Sequence, residues 1–241
     1  MIFEVRPGDA ASPVILHVPH ASRELTAFAR SSLVIDDAEL ADELDHLTDA
    51  HTDVVAASVA ASTGAWVFQN RWSRLVVDPE RFPDEREEML AAGMGAVYTH
   101  GYAGRRLRSS DPERDARLIR EHFEPYAAGM TRLVGERLAA IGRVVIVDVH
   151  SYPVHALPYE LHGDGPRPPI CLGTDTFHTP AALIDRAKAA FPDMSLDSPF
   201  AGCYVPLKYY GVDPAVEAVM IEIRRDCDPA ATAARIIEFL R

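Results

Sequence analysis

One nine-residue segment, Val144–Tyr152, constrains the fold more than any other part of the chain. It begins after Gly142 as an unbroken run of β-branched residues and ends in polar ones. Such a run predicts a strand buried on both faces, as in the centre of a parallel sheet. The alternation of side chains places Asp148 and His150 on one face of this strand. Because ligands collect at the carboxyl ends of such strands, the pair is a candidate functional site; a histidine that only forms a hydrogen bond there is the alternative.

The length and composition favour one α/β domain, since 241 residues with 48% hydrophobic content are enough for a full core. The net charge is −12 and no run of Lys or Arg occurs, so we expect neither nucleic acid nor a membrane as partner. Individual arginines suit the binding of carboxylates, so a small anionic substrate is the expected partner. No segment approaches the roughly 20 apolar residues that span a bilayer, and no signal peptide is recognised. The three cysteines lack CxxC spacing, which argues against a disulfide framework and favours a cytoplasmic location. The oligomeric state is left open.

Periodicity and cap residues predict the other elements of the fold. Core strands are expected at 14–18, 65–68, 75–77, 170–172 and 219–224. Helices are expected at 36–62, at 111–140 with Pro125 as a kink or a division, from 180 to about 190, and at 228–240. Residues 83–110 are expected to leave the core as a long excursion, either a substrate lid or a surface loop.

The beginning of the predicted 36–62 helix is strongly acidic. Asp42, Asp45 and Asp49 recur at spacings of three to four residues, which would place them on one helical face. A solvated acidic face is the ordinary interpretation of such a pattern. The alternative is a bound cation, which would relieve the repulsion between the carboxylates.

Three arginines surround the short apolar segment 75–77. Arg71 and Arg74 precede it and Arg81 follows it. In an acidic protein this grouping favours an anion-binding wall, because guanidinium groups bind carboxylates through two parallel hydrogen bonds.

Polar residues at the ends of the predicted strands suggest metal chemistry. His20 and His150 with a carboxylate would be a common ligand set for catalytic zinc, whose fourth position stays open to water. Glu222 lies inside a predicted strand, where a carboxylate is costly unless it has a partner or a function, and it could take the proton from that water. His17 is predicted to be structural. The histidines of segment 155–178 could hold a second metal, but ten histidines in the chain make scattered structural roles more plausible.

Several short motifs resemble those of the N-formylglutamate amidohydrolase family, in the same order over nearly the whole chain. They are Val18-Pro19-His20-Ala21-Ser22, Thr48-Asp49-Ala50-His51, Ser73-Arg74-Leu75-Val76-Val77-Asp78, Asp148-Val149-His150-Ser151, Phe200-Ala201-Gly202, Tyr210-Gly211 and Ile221-Glu222-Ile223. The family is related in fold to zinc carboxypeptidases and acyl-amino-acid deacylases. The resemblance implies an α/β fold with three α/β/α layers around a central mixed sheet, zinc-exopeptidase-like (phosphorylase/hydrolase-like), in one amidohydrolase domain that spans 1–241.

The resemblance also implies roles for individual residues. One zinc ion (Zn2+) per chain would be held by His20, Asp49 and His150, with Asp45 as the rival for the carboxylate position. Asp148 would orient a ligand. Glu222 would act as the general base and then protonate the leaving amine.

The implied substrate carries carboxylates, which Arg74 and Arg81 would bind, with Arg71 or Arg224 as further candidates. The implied reaction is hydrolysis of N-formyl-L-glutamate to formate and glutamate, a step of histidine catabolism. Relatives usually read Asp-Leu-Asn-Arg where this chain has Glu80 in place of the Asn, which leaves open another N-acyl amino acid or a short peptide as substrate. A non-catalytic binding protein of the same fold is a further alternative. No Gly-x-Ser-x-Gly motif supports a serine hydrolase.

Overall fold

Across residues 1–160 and 165–241, which this computed structural model describes, seven strands form one mixed sheet. In chain order they are β1 (Phe3–Arg6), β2 (Val14–Val18), β3 (Trp66–Asn70), β4 (Val144–Tyr152), β5 (Ile170–Gly173), β6 (Ser195–Leu196) and β7 (Val216–Arg224). Their spatial order is β1-β3-β2-β4-β7-β5-β6. Strands β3, β2, β4 and β7 run parallel, whereas β1 and β5 are antiparallel to their inner neighbours. All nine residues of β4 are buried, which confirms the predicted central strand.

The helices of the described chain are α1 (Ala27–Ser31), α2 (Asp37–Leu47), α3 (Thr52–Thr63), α4 (Pro112–Leu118), α5 (Glu124–Ile141), α6 (Ala181–Ala190) and α7 (Pro229–Leu240). Val147 and Val149 of β4 share a buried cluster with α3, α6 and α7. Val144 and Ile146, on the other face of the strand, share a cluster with α5. The predicted three-layer α/β/α fold is therefore confirmed. Of the helices described, none has the length and hydropathy to cross a membrane.

The predicted helix 36–62 is two helices, and this correction matters for the site. Helix α2 ends at Leu47, and α3 begins at Thr52 after His51, whose φ of 69° is left-handed. In the break, the amide of Asp49 donates a hydrogen bond to the carbonyl of His20 at 3.0 Å. The expectation that Asp49 shares a helical face with Asp42 and Asp45 was therefore wrong, because its backbone is bound to the loop after β2.

One further prediction needed correction. Residues 75–77 are buried but belong to a turn region rather than a strand, in which the amide of Val76 donates to the carbonyl of Ser73 at 2.8 Å.

The predicted helix 111–140 is continuous from Pro112 to Ile141. Its segment Ile119–Phe123, two residues before Pro125, is π-helical, and the helix is not divided in two.

The 83–110 excursion is packed rather than loose. A short 3₁₀ helix occupies Glu88–Ala92. Met94, Tyr98 and Leu107 belong to the same buried cluster as Leu44 of α2. This excludes a disordered surface loop, while a lid motion of the segment remains a prediction.

Candidate active site

The catalytic candidates meet at the carboxyl edge of the parallel strands. In the pairing of β4 with β7, His150 lies opposite Glu222. In the pairing of β2 with β4, His17 lies opposite Asp148. His20 follows the end of β2, directly after Pro19. The strand register alone therefore brings residues from distant parts of the chain to one place.

Three of the predicted ligand atoms converge on one point. Nδ1 of His20 lies 3.4 Å from Nδ1 of His150. Oδ2 of Asp49 lies 2.9 Å from Nδ1 of His150 and 3.6 Å from Nδ1 of His20. Ligands bound about 2.0–2.2 Å from a tetrahedral zinc ion are about 3.3–3.6 Å apart. Two of the three distances match this range, whereas the 2.9 Å between Asp49 and His150 is a hydrogen-bond distance that would have to lengthen by a few tenths of an ångström around a zinc ion.

Neighbouring carboxylates orient both imidazoles toward this point. Nε2 of His20 lies 2.9 Å from Oδ1 of Asp78, and Nε2 of His150 lies 3.0 Å from Oδ1 of Asp148. A proton held on each Nε2 leaves the lone pair of each Nδ1 free to bind a metal, as in the carboxylate–histidine pairs of zinc enzymes. Asp148 therefore lies where its predicted orienting role requires it.

Asp78 is a site residue to which the sequence analysis assigned no role. Its side chain is almost fully buried and accepts a hydrogen bond from the Tyr98 hydroxyl at 2.8 Å. The guanidinium groups of Arg74 and Arg81 lie 3.7 and 3.8 Å from it. Burial would raise the pKa of Asp78, but the charges of His20 and Arg74 outweigh burial and hold the pKa well below its usual value. The Ser73–Asp78 motif contains this Asp, but the sequence analysis predicted no interaction partner for it.

Without a metal ion, the pKa of both histidines is raised, that of His20 and more strongly that of His150. Burial alone would lower the pKa of His150, but the carboxylates of Asp148 and Glu80 raise it well above its usual value. Burial would raise the pKa of Asp49, yet the charge of Arg74 and the hydrogen bond from His150 keep it far below its usual value. A metal ion entering the site must therefore displace a proton from His150.

Glu222 differs from the other carboxylates of the site. It is buried, and within the described chain its Oε2 has no hydrogen-bond partner. Burial is the main reason that its pKa rises from 4.5 to about 8, with His150 opposing the shift and Asp49 adding to it. A carboxyl group whose pKa lies near neutral pH can both accept and return a proton.

These residues line a cavity of about 390 Å³, and arginines also line it. Arg74 is buried, and its guanidinium contacts Nδ1 of His20. Arg81 lines the wall and forms an ion pair with Glu87 at 3.4 Å. Arg225, which the sequence analysis missed, also lines the cavity, with Nη2 3.7 Å from Oδ1 of Asp49.

Other predicted site residues lie elsewhere. Arg71 is exposed and does not line the cavity. Arg224 also lies outside the cavity, because its guanidinium is bound to Asp226 at 2.7 Å at the end of β7. Asp45 is exposed and pairs with Arg23 at 2.7 Å, so of the two rivals only Asp49 accompanies the histidines. Arg71 and Arg224, the two further candidates for binding the substrate's carboxylates, thus both lie outside the cavity.

The histidines of segment 155–178 do not gather into a second centre among the described residues. His155 is exposed. His178 is buried, with Nδ1 2.6 Å from the carbonyl of Val216 and Nε2 accepting from the amide of Gly211 at 2.8 Å. His162 and the start of the turn-rich stretch from Gly163 lie outside the described residues.

Comparisons with known proteins identify the family and the fold. The profile of the N-formylglutamate amidohydrolase family matches residues 12–227. No match was found among curated proteins. Among solved structures, an N-formylglutamate amidohydrolase from Ralstonia eutropha superposes with a TM-score of 0.82 at 20% identity, covering 99% of this chain and 95% of that one. A gene product of Agrobacterium tumefaciens superposes with a TM-score of 0.75 at 20% identity, covering 99% and 93%. At this identity the two structures show a shared fold.

Proposed function

The chain belongs to the N-formylglutamate amidohydrolase family and is therefore a hydrolase that acts on an amide. From this premise we propose that it cleaves N-formyl-L-glutamate to formate and glutamate and that it uses a zinc ion. One observation carries the proposal. The Nδ1 atoms of His20 and His150 and a carboxylate oxygen of Asp49 converge within 3.6 Å, in the same cavity as the buried carboxyl of Glu222.

The three converging side chains are the groups that would hold zinc. Their donor set of two imidazole nitrogens and one carboxylate oxygen is typical of catalytic zinc sites. When bound, zinc supplies a Lewis acid that acidifies water and polarises the scissile carbonyl. Asp78 and Asp148 fix the two imidazoles in the tautomer that this requires.

The arginines of the cavity wall bind and orient the substrate. Arg74 and Arg81 have guanidinium groups suited to the two carboxylates of an N-acyl glutamate. Arg74 is buried and contacts the metal-site histidine His20, so it also lies close to where an oxyanion would form. Arg225 provides a third positive charge beside Asp49.

Glu222 moves the proton. Its carboxylate takes a proton from the attacking water as the C–O bond to the formyl carbon forms, and then returns the proton to the leaving nitrogen as the C–N bond breaks. Water and amide are thereby converted to formic acid and the amine of glutamate, and transfer of the acid's proton to the amine gives formate and the ammonium form of glutamate. The raised pKa of about 8 suits a group that must perform both transfers.

A second candidate keeps the chemistry and changes the substrate to another N-acyl amino acid or a short peptide. Glu80 favours it, because its carboxylate faces the cavity with Oε2 3.2 Å from Nε2 of His150. A negative charge at this position opposes a substrate that carries two carboxylates.

A substrate screen with zinc-loaded protein tests both candidates. We expect the highest kcat/KM for N-formyl-L-glutamate when the N-formyl, N-acetyl and N-succinyl derivatives of several amino acids are compared. Glu222→Gln should keep its zinc and lose about 100-fold or more of the rate. A clear preference for another acyl amino acid or a dipeptide would favour the second candidate. Full activity of Glu222→Gln would remove Glu222 from the mechanism, and no turnover of any substrate would contradict the proposal.

The proposal extends to the setting of the reaction. A cytoplasmic location rests on the cysteine pattern, and a place in histidine catabolism rests on family membership.

A further inference from the structure

Glu80 carries a carboxylate that the proposed reaction does not use. Its side chain is only 16% exposed, and within the described residues its Oε1 is buried without a hydrogen-bond partner. The guanidinium of the next residue, Arg81, is directed at Asp78 and Glu87 instead. A buried carboxylate oxygen that accepts no hydrogen bond is unfavourable unless a cation accompanies it.

Two neighbouring carboxylates have donors of their own. Asp78 accepts from the Tyr98 hydroxyl and lies beside Nε2 of His20. Asp148 accepts from the amide of Tyr204 at 3.2 Å through Oδ2. Glu80 differs within the described residues: its Oε2 lies 3.2 Å from Nε2 of His150, but its Oε1 has no partner, as is also true of Oε2 of Glu222.

A second set of potential metal ligands lies beside Glu80. Its Oε1 is 3.5 Å from Nδ1 of His17, and that nitrogen is 2.8 Å from Oδ1 of Asp148. Ligand atoms of the three residues all lie within 4.8 Å of one another. His17 is fully buried, and its Nε2 lies 2.6 Å from the Tyr126 hydroxyl. If the proton of His17 is on Nε2, the lone pair of Nδ1 faces two carboxylate oxygens. A cation bound to these three atoms would offset the repulsion between them.

We propose that the cavity binds a second divalent cation through Nδ1 of His17, a carboxylate oxygen of Asp148 and Oε1 of Glu80. One imidazole nitrogen and two carboxylate oxygens suit first-row divalent ions such as Zn2+ and Mn2+. The second group adjoins the first, because Oε2 of Glu80 lies 3.5 Å from Nδ1 of His20 and Glu80 also forms a possible ligand group with His20 and His150. The second group differs from the first in His17 and Asp148, and Oδ1 of Asp148 lies 3.0 Å from Nε2 of His150. Asp148 thus links the two ions through His150.

The second cation has a consequence for the substrate, and this part rests on the proposed function. It offsets the charge of Glu80, so that a dianionic N-acyl glutamate enters a cavity that would otherwise repel it. Binding of the cation itself requires no substrate and is measured without one.

The test is the number of ions bound by the full chain. Metal-stripped protein is titrated with Zn2+ in a calorimeter, and bound zinc is counted by mass spectrometry after desalting. We expect about two ions per wild-type chain, the second bound more weakly, and about one in Glu80→Gln. Asp49→Asn, which alters only the first site, should also keep about one. The matched control Glu88→Gln removes an exposed carboxylate of the same cavity and should keep both.

Three results would overturn the inference. They are a single ion in the wild type, two ions in Glu80→Gln, or loss of the only ion in Glu80→Gln, which would assign Glu80 to the first site. Circular dichroism establishes that each variant is folded, and the Co2+-loaded wild type provides a second measurement, because its absorption should change in two steps. Two bound ions in an inactive protein would contradict only the proposed function.

Discussion

Replacing Glu222 with glutamine tests the electrostatics of the site in the metal-free protein. The carboxyl group of Glu222 has a pKa of about 8 in the folded protein against an ordinary value of 4.5. Between these two pH values the unfolded chain releases a proton that the folded protein keeps, so the free energy of unfolding falls as pH rises. Each pKa unit corresponds to about 1.4 kcal/mol, which gives a total loss on the order of 3–5 kcal/mol. Because glutamine does not ionise, Glu222→Gln should not show this fall in the free energy of unfolding.

The assay is urea unfolding of both proteins in the presence of a chelator, at several pH values from about 5 to about 9. Relative to wild type, Glu222→Gln should gain stability steadily as pH rises to about 8 and show a constant advantage above it. Glu88→Gln, which removes an exposed carboxylate of the same cavity, should show no such gain. A stability difference for Glu222→Gln that does not vary with pH would refute the reasoning that burial suppresses ionisation of this group.

Three further predictions concern metal and substrate. Zinc binding should release protons and weaken as pH falls, because the pKa of His150 is raised. Calorimetry in buffers of different ionisation enthalpy measures the proton release. Binding heats that do not depend on the buffer would contradict this prediction. Asp78→Asn should weaken zinc binding about 10–100-fold in competition with a chromophoric chelator, because it alters the acceptor for Nε2 of His20; unchanged affinity would exclude the orienting role. Arg81→Ala should lower kcat/KM about 10–100-fold, mainly through KM, whereas Arg71→Ala, outside the cavity, should not; equal effects would remove Arg81 from substrate binding.

The sequence predicted the parts of the fold that depend on local pattern. The β-branched run of β4 identified the central strand, and its alternation placed Asp148 and His150 on one face, as the structure has them. The capping residues Asp228 and Gly64 marked the start of α7 and the end of α3. Each of these signals acts within a few residues of the feature that it predicts.

The errors arose where tertiary contacts decide the structure. No Gly or Pro in residues 48–51 marks the end of a helix, and the break there accompanies a hydrogen bond from the amide of Asp49 to the carbonyl of His20. The sequence offers two adjacent arginines, Arg224 and Arg225, and no pattern that tells which of them faces the cavity. In the structure β7 ends at Arg224, and the next residue, Arg225, lines the cavity. Asp78 was likewise invisible as a partner of His20, because 58 residues separate them.

Amide hydrolysis by this chain is expected to require a zinc ion held by His20, Asp49 and His150. Formate release from N-formyl-L-glutamate by chelator-treated protein, before and after zinc is restored, tests this requirement, with His150→Ala treated in parallel. We expect loss of activity on chelation, recovery with zinc in the wild type, and no recovery in the variant. Full activity of the metal-stripped wild type, or of His150→Ala, would contradict it.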